Sequence, residues 1–130
     1  MSTTSYNYEE VRKNEEKAAV YAKMAYDLIE SGTIQPNQVL EEIIFKSAKY
    51  SYMYAKNVIK GPIPAAEDII ATWAIFSYLY AFEVLECKWP KGETRILVHP
   101  EYIFKYARNV IKAPWPEAEH LLPKGNVYTE

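Results

Sequence analysis

The sequence predicts an all-α fold: an α-solenoid-like array of helical repeats with a 26-residue period and about six or seven helices. Three observations carry this. First, Tyr50 to Ile70, YSYMYAKNVIKGPIPAAEDII, lies over Tyr102 to Leu122, YIFKYARNVIKAPWPEAEHLL, with 11 identities in 21 positions and an offset of 52. Midway between them, Phe76 to Ile96 keeps Tyr80, Ala81, Val84, Pro90 and Glu93, so three units follow one another without insertion. Second, each unit places Tyr, Ala, Val and Ile or Leu on one helical face: Tyr54, Ala55, Val58, Ile59, then Tyr80, Ala81, Val84, Leu85, then Tyr106, Ala107, Val110, Ile111. Third, each unit restarts with proline and an acid, at Pro64 and Glu67, Pro90 and Glu93, Pro116 and Glu119. Proline at a helix start gives up no hydrogen bond, and an acid there favours the helix dipole.

Along the chain, Asn7 followed by Glu10 has the spacing of a capping box, opening a long charged helix from Tyr8 to Glu30 that stops at Ser31-Gly32. A degenerate copy of the unit lies at its end, where Met24-Ala25-Tyr26-Asp27-Leu28-Ile29 resembles Tyr54-Ala55-Lys56-Asn57-Val58-Ile59. Pro36 starts the next helix. The three full units then alternate a short helix, a break and a long helix. Pro100 makes the break plain in the third unit, and the long helix there runs from Glu101 to Lys112. Ser47 and Trp73 mark the corresponding breaks without proline, and a continuous helix from about Pro64 to Cys87 is the alternative in the middle unit. The long helices stop at Gly61-Pro62, Cys87-Lys88 and Ala113-Pro114. The small recurrent Ala55, Ala81 and Ala107 allow close approach of a neighbouring helix, while the tyrosine before each fills the edge with its ring and turns its hydroxyl to water or a polar partner. The chain reads as a single domain, 1–130, with amino-terminal helices over 1–44, three tandem units over 45–122 and a tail over 123–130.

The unit resembles short tandem repeats of the form Tyr-Ala-x-x-Val-Ile-Lys-Gly-x-Trp-Pro-Glu-Ala-Glu found in uncharacterised proteins of large tailed phages. The resemblance rests on Tyr54 to Glu67 and Tyr106 to Glu119, and more weakly on Tyr80 to Glu93. The chain departs from the pattern at Ile63, where Trp is expected, and at Phe82, Glu86 and Lys91 in the middle unit. The resemblance implies a phage origin and a helical repeat fold, and it supplies no catalytic residue.

Composition narrows the function. Fifteen Lys and Arg against 17 Asp and Glu leave a formal charge of -2, without the basic footprint of a dedicated nucleic-acid binder. One cysteine, Cys87, excludes a disulfide framework and a multi-thiolate zinc site, and favours a reducing, cytoplasmic setting. The longest uncharged run, Ile69 to Phe82, falls short of a membrane span. His99, before Pro100, reads as a cap or loop residue, and Cys87 as a small packed residue where Gly61 and Ala113 stand in other units. The paired acids Glu41-Glu42 and Glu117 with Glu119 read as solvated helix starts. No catalytic residue, metal ligand or cofactor is expected.

Binding is the function class that fits, with a protein partner, a host protein or a second copy of this chain. Twelve tyrosines are far above that residue's usual share, and because residues two apart lie on different flanks of a helix they cannot all point into one core. A protein-binding face and packing between repeats are the two readings. An aromatic face including Tyr50, Tyr52, Tyr78, Tyr102, Trp89 and Trp115 is therefore the candidate protein-binding surface, because tyrosine and tryptophan dominate interface hot spots. The alternative is a nucleic-acid or nucleotide site using Lys56, Lys60, Arg108 and Lys112, with tyrosines as stacking platforms. Phe82 and Glu86 interrupt that basic series in the middle unit, which favours the protein partner.

Overall fold

The computed structural model describes residues 8–121; the Asn7 cap and the 123–130 tail lie outside them. Among the described residues the chain is all helical, with no strand. Helix α1 spans Tyr8–Glu30, as its charge pattern and terminal Ser31-Gly32 predict, and Gly32 takes a left-handed φ of 82° that glycine adopts without strain. Pro36 precedes the next helix and does not open it. Asn37 is the N-cap, its side chain accepting from the Leu40 N–H at 3.0 Å, and α2 runs Gln38–Ile44.

Three longer helices follow, each in two parts. An α-helical part, α3 (Ala48–Tyr54), α5 (Ala74–Leu79) or α7 (Pro100–Tyr106), continues into a π-helical turn, Ala55–Ile59, Tyr80–Leu85 or Ala107–Ile111. Between and after them lie α4 (Glu67–Ile70, entered through a 3₁₀ turn at Pro64–Ala66), α6 (Pro90–Ile96) and α8 (Pro116–Glu119). The described residues thus form eight helices where the sequence predicts six or seven.

The difference arises at breaks that carry no proline. Ser47 and Trp73 adopt extended backbone, at φ -122° and -125°, as His99 does at -132°. The continuous helix from Pro64 to Cys87 is therefore not formed. A hydroxyl further along the chain stabilises each of these two bends. Ser51 Oγ donates to the Ile44 carbonyl at 3.2 Å and Ser77 Oγ to the Ile70 carbonyl at 3.4 Å, adding a second hydrogen bond to carbonyls that also accept the Ser47 and Trp73 N–H groups where the short helix ends.

The helix stops also differ from the glycine-based expectation. The left-handed residue at the end of each long helix is Lys60, Glu86 or Lys112, with φ of 60°, 58° and 63°. The carbonyl of Ala55, Ala81 or Ala107 receives the N–H of that residue, and those of Ala55 and Ala107 also receive the next N–H along, from Gly61 and Ala113. This wide closure turns the chain outward. Cys87, the residue after the Glu86 cap, lies exposed and not packed as expected.

The core is shared by α1 and the helices that follow it. Ala22, Ala25, Tyr26 and Ile29 bury one face of α1, and Ile44, Ile70 and Ile96 are fully buried at the ends of the short helices. Ala55, Ala81 and Ala107 sit in the centre of the long helices, as predicted, with almost no exposure. Gly92 allows the closest of these contacts: a Cβ there would stand 2.5 Å from the Trp89 ring and 2.9 Å from Ser77 Cβ.

Candidate functional site

Tyr54, Tyr80 and Tyr106 are completely buried, and each sends its hydroxyl back along the chain to a carboxylate at a constant spacing. The acceptors are Glu41 at 2.6 Å, Glu67 at 2.7 Å and Glu93 at 2.7 Å. Two of the hydroxyls also accept a backbone N–H: that of Ile63 reaches Tyr80 at 3.0 Å and that of Trp89 reaches Tyr106 at 2.7 Å. The tryptophans that follow lie against these rings, with centroids 4.8 Å apart for Tyr80 and Trp89 and 5.0 Å for Tyr106 and Trp115. Burial first, with the neighbouring carboxylate adding to it, pushes all three phenols well above their ordinary range, so the hydroxyls stay protonated and donate to the carboxylates. The sequence predicts Glu67 and Glu93 only as dipole-favouring acids. Their second role shows in the sequence solely as a glutamate at one fixed spacing before each buried tyrosine.

A second row joins successive long helices. Tyr26, Tyr52 and Tyr78 meet residues 31 positions onward: Asn57 donates to Tyr26 at 2.9 Å, Asn109 donates to Tyr78 at 2.6 Å, and Tyr52 donates to Glu83. The same three rings touch Tyr50, Phe76 and Tyr102, at centroid distances of 5.8, 6.1 and 6.2 Å. Glu83 also meets the Lys56 ammonium at 3.0 Å. Burial alone would push the Glu83 carboxyl up, but the Tyr52 and Lys56 hydrogen bonds and the Lys56 charge outweigh it and hold the group below the usual carboxylate value.

These rows correct the predicted aromatic face. Tyr50, Tyr52, Tyr78, Trp89 and Trp115 are buried between helices of the same chain, and Tyr102 is half-buried under the Lys105 ammonium. Residues two apart do face different ways, but those ways lead to different neighbouring helices and not to water. Tyr50 meets Tyr26, Tyr52 meets Phe76 and Glu83, and Tyr54 meets Phe45 and Glu41.

In the basic series only Lys56 has an ion-pair partner among the described residues, Glu83, while Lys60, Arg108 and Lys112 are exposed. Lys60 and Lys112 occupy left-handed caps with Glu86 as the third member. A groove of about 300 Å³ between the π turns, lined by Phe82, Glu86, Asn109 and Lys112 among others, mixes both charges. A phosphate backbone following it would meet the Glu86 carboxylate.

A different surface remains open. Helix α1 carries a second apolar stripe, Val20, Tyr21, Met24 and Leu28, outside the face that packs on the core; Tyr21 is 54% exposed and Met24 57%. With Leu40 and Ile43 of α2, the last three line a groove of about 350 Å³, with Lys46 at its edge. The predicted site residues do not include it. Its signal in the sequence is the run of apolar residues at i, i+1, i+4 and i+8 beside the stripe Ala22, Ala25, Tyr26, Ile29, which makes α1 apolar on two faces.

Among the described residues no group of three or more His, Cys, Asp or Glu side chains converges as a metal site, and no helix is long and apolar enough to cross a membrane. Comparison with protein-family models, curated proteins and solved structures finds no match to this chain.

Proposed function

We propose that this chain is a short array of 26-residue helical units that works by binding another protein, and that the open groove between α1 and α2 is where it does so. The observation that carries the reading is the exposure of Tyr21, Met24 and Leu28 around a preformed apolar groove, while the recurrent tyrosines and their carboxylate partners are engaged inside the stack. Exposed contiguous apolar surface on an otherwise well-packed domain marks an interaction site. The array supports it through two sets of hydroxyl contacts, each at its own fixed separation along the chain, which hold each unit against its neighbours. The resemblance of Tyr54 to Glu67 and Tyr106 to Glu119 to phage repeats makes a host-cell protein the first partner to seek, in the cytoplasm. The role is non-catalytic in this reading and calls on no cofactor.

A photo-cross-linking residue at Met24 tests this. It should capture protein from a cell lysate irrespective of nuclease, whereas the same residue at Lys60 should not, and Leu28→Asp should abolish capture. Replacing Lys56, Lys60, Arg108 and Lys112 with alanine should leave capture intact. Nuclease-sensitive capture that disappears in the four-alanine variant would overturn the reading in favour of a nucleic-acid partner.

A further inference from the structure

Among the described residues the aromatic row between long helices has two open ends. Its ring contacts join Tyr26 to Tyr50, Tyr52 to Phe76 and Tyr78 to Tyr102, always at the same spacing along the chain and each pair one repeat period beyond the last. Helix α1 shares this register, which corrects the alignment of Met24–Ile29 with Tyr54–Ile59 expected from sequence: Met24 falls in register with Tyr50 instead. Its buried Ala22, Ala25, Tyr26 and Ile29 stand one period before Ala48, Ser51, Tyr52 and Ala55, which are also buried. Met24 is then the counterpart of Tyr50, Phe76 and Tyr102, but among the described residues no helix precedes α1 to cover it, and it is 57% exposed where Tyr50 is buried. At the other end Phe104 is the counterpart of Tyr26, Tyr52 and Tyr78. It is half-buried where those three are buried.

We infer that a second copy of this chain docks head to tail, the Met24 face of α1 in one molecule packing on the Phe104 face of α7 in the next. This names the partner for the α1 surface and rests on the proposed reading of that surface as a binding site. Two things on the molecule select a second copy. The contact continues an interface already made three times within the chain, placing a methionine sulfur where an aromatic ring otherwise sits, a favourable exchange. The charges also match. Lys56 on α3's π turn pairs with Glu83 of the next long helix, and Arg108 is the counterpart of Lys56. Carried forward in the same register, Arg108 comes opposite Ser31 at the end of α1 in the second copy, next to the exposed Glu30 carboxylate. Because the two surfaces differ, the contact is heterologous, and it propagates into open chains unless the rotation closes a ring.

Sedimentation velocity on the full chain over a wide concentration range tests it, with circular dichroism confirming that each variant keeps the parent's helix content. The parent should associate beyond a dimer as concentration rises. Met24→Asp and Phe104→Asp should each be monomeric alone, yet their equimolar mixture should give dimers and nothing larger, since only one sound head and one sound tail remain. Arg108→Glu should weaken association about tenfold, and adding Glu30→Arg should restore it. A parent that stays monomeric overturns the inference, and so does a Met24→Asp variant that still self-associates. The chain's own last segment, in which Tyr128 follows Phe104 at the spacing by which Tyr50 follows Tyr26, is the competing occupant. Association that strengthens in Tyr128→Asp would assign the Phe104 face to it and overturn the inference. A monomeric parent that still captures another protein at Met24 sinks the inference alone and leaves the proposed function standing.

Discussion

Replacing each of the three buried tyrosines with phenylalanine removes one oxygen and nothing else, and the contacts predict unequal losses. In Tyr106→Phe the Trp89 N–H, buried and bonded at 2.7 Å, loses its acceptor, and the Glu93 carboxylate loses a donor at 2.7 Å. An orphaned buried N–H costs about 1–3 kcal/mol, and a hydrogen bond to a charged group contributes about 1.5–3 kcal/mol. Glu93 is half-buried and regains water, so the second figure is discounted towards about 1 kcal/mol. The expected loss is about 2–4 kcal/mol, and Tyr80→Phe, which orphans the Ile63 N–H, should match it. Tyr54 bonds Glu41 and accepts no backbone N–H among the described residues, so Tyr54→Phe should lose only about 1 kcal/mol. With a urea m-value of about 2 kcal/mol/M, Tyr80→Phe and Tyr106→Phe should shift the midpoint about 0.5–1.5 M further than Tyr54→Phe. Equal shifts in all three, or a larger one in Tyr54→Phe, would refute the assignment of the extra loss to the backbone N–H.

Glu86→Gly should stabilise the fold by about 1 kcal/mol, since it relieves a left-handed non-glycine residue and removes an acid from a helix C-terminus; Lys60→Gly should gain less, because it also removes a favourable charge. Thermal or urea unfolding of the two variants checks the order. Gly92→Ala should lose about 1–3 kcal/mol despite alanine's better helix propensity, because the added methyl meets the Trp89 ring and Ser77; an unchanged melting temperature would contradict it. Glu83 is held below its ordinary value of 4.5, so the unfolded chain takes up that proton first as pH falls. The parent should therefore lose stability between pH 4.5 and the lower folded value, relative to Glu83→Gln, and above pH 4.5 the difference between the two should be flat. Urea midpoints measured for both chains across this range would show it.

Much of the fold is legible in residue spacing. Helix α1, the turns after each long helix and the buried alanines at 55, 81 and 107 all follow from helical periodicity and from proline and glycine placement. The bends at Ser47 and Trp73 are harder to read, because what stabilises them is a serine hydroxyl one helix further on, a contact that exists only once the chain has folded back. The left-handed caps are obscured for a related reason: Lys60, Glu86 and Lys112 carry no local signal for positive φ, and the wide hydrogen-bonded closure imposes it. Tyrosine is the most ambiguous residue. Its amphipathic ring suits a hot spot and a buried polar joint equally, and only the partner, Glu41, Glu67 or Glu93 in one row and Asn57, Glu83 or Asn109 in the other, decides between them. The open groove lies between α1 and α2, where the residue match to the later units is weakest, so its place in the register becomes plain only from the buried positions of α1.

The phenol at each joint between long helices has a consequence for how such a chain can vary. A phenol hydroxyl gives a proton as readily as it receives one, so Tyr26 and Tyr78 take a hydrogen bond from an amide where Tyr52 supplies one to a carboxylate. The residue opposite can therefore change from neutral to negative without breaking the joint. A charge can be introduced at the surface next to the joint, with a lysine recruited beside it, while the packing beneath stays as it was. Cohesion and surface electrostatics are thus separately adjustable, and a chain built this way can acquire a new partner without first having to solve its fold again.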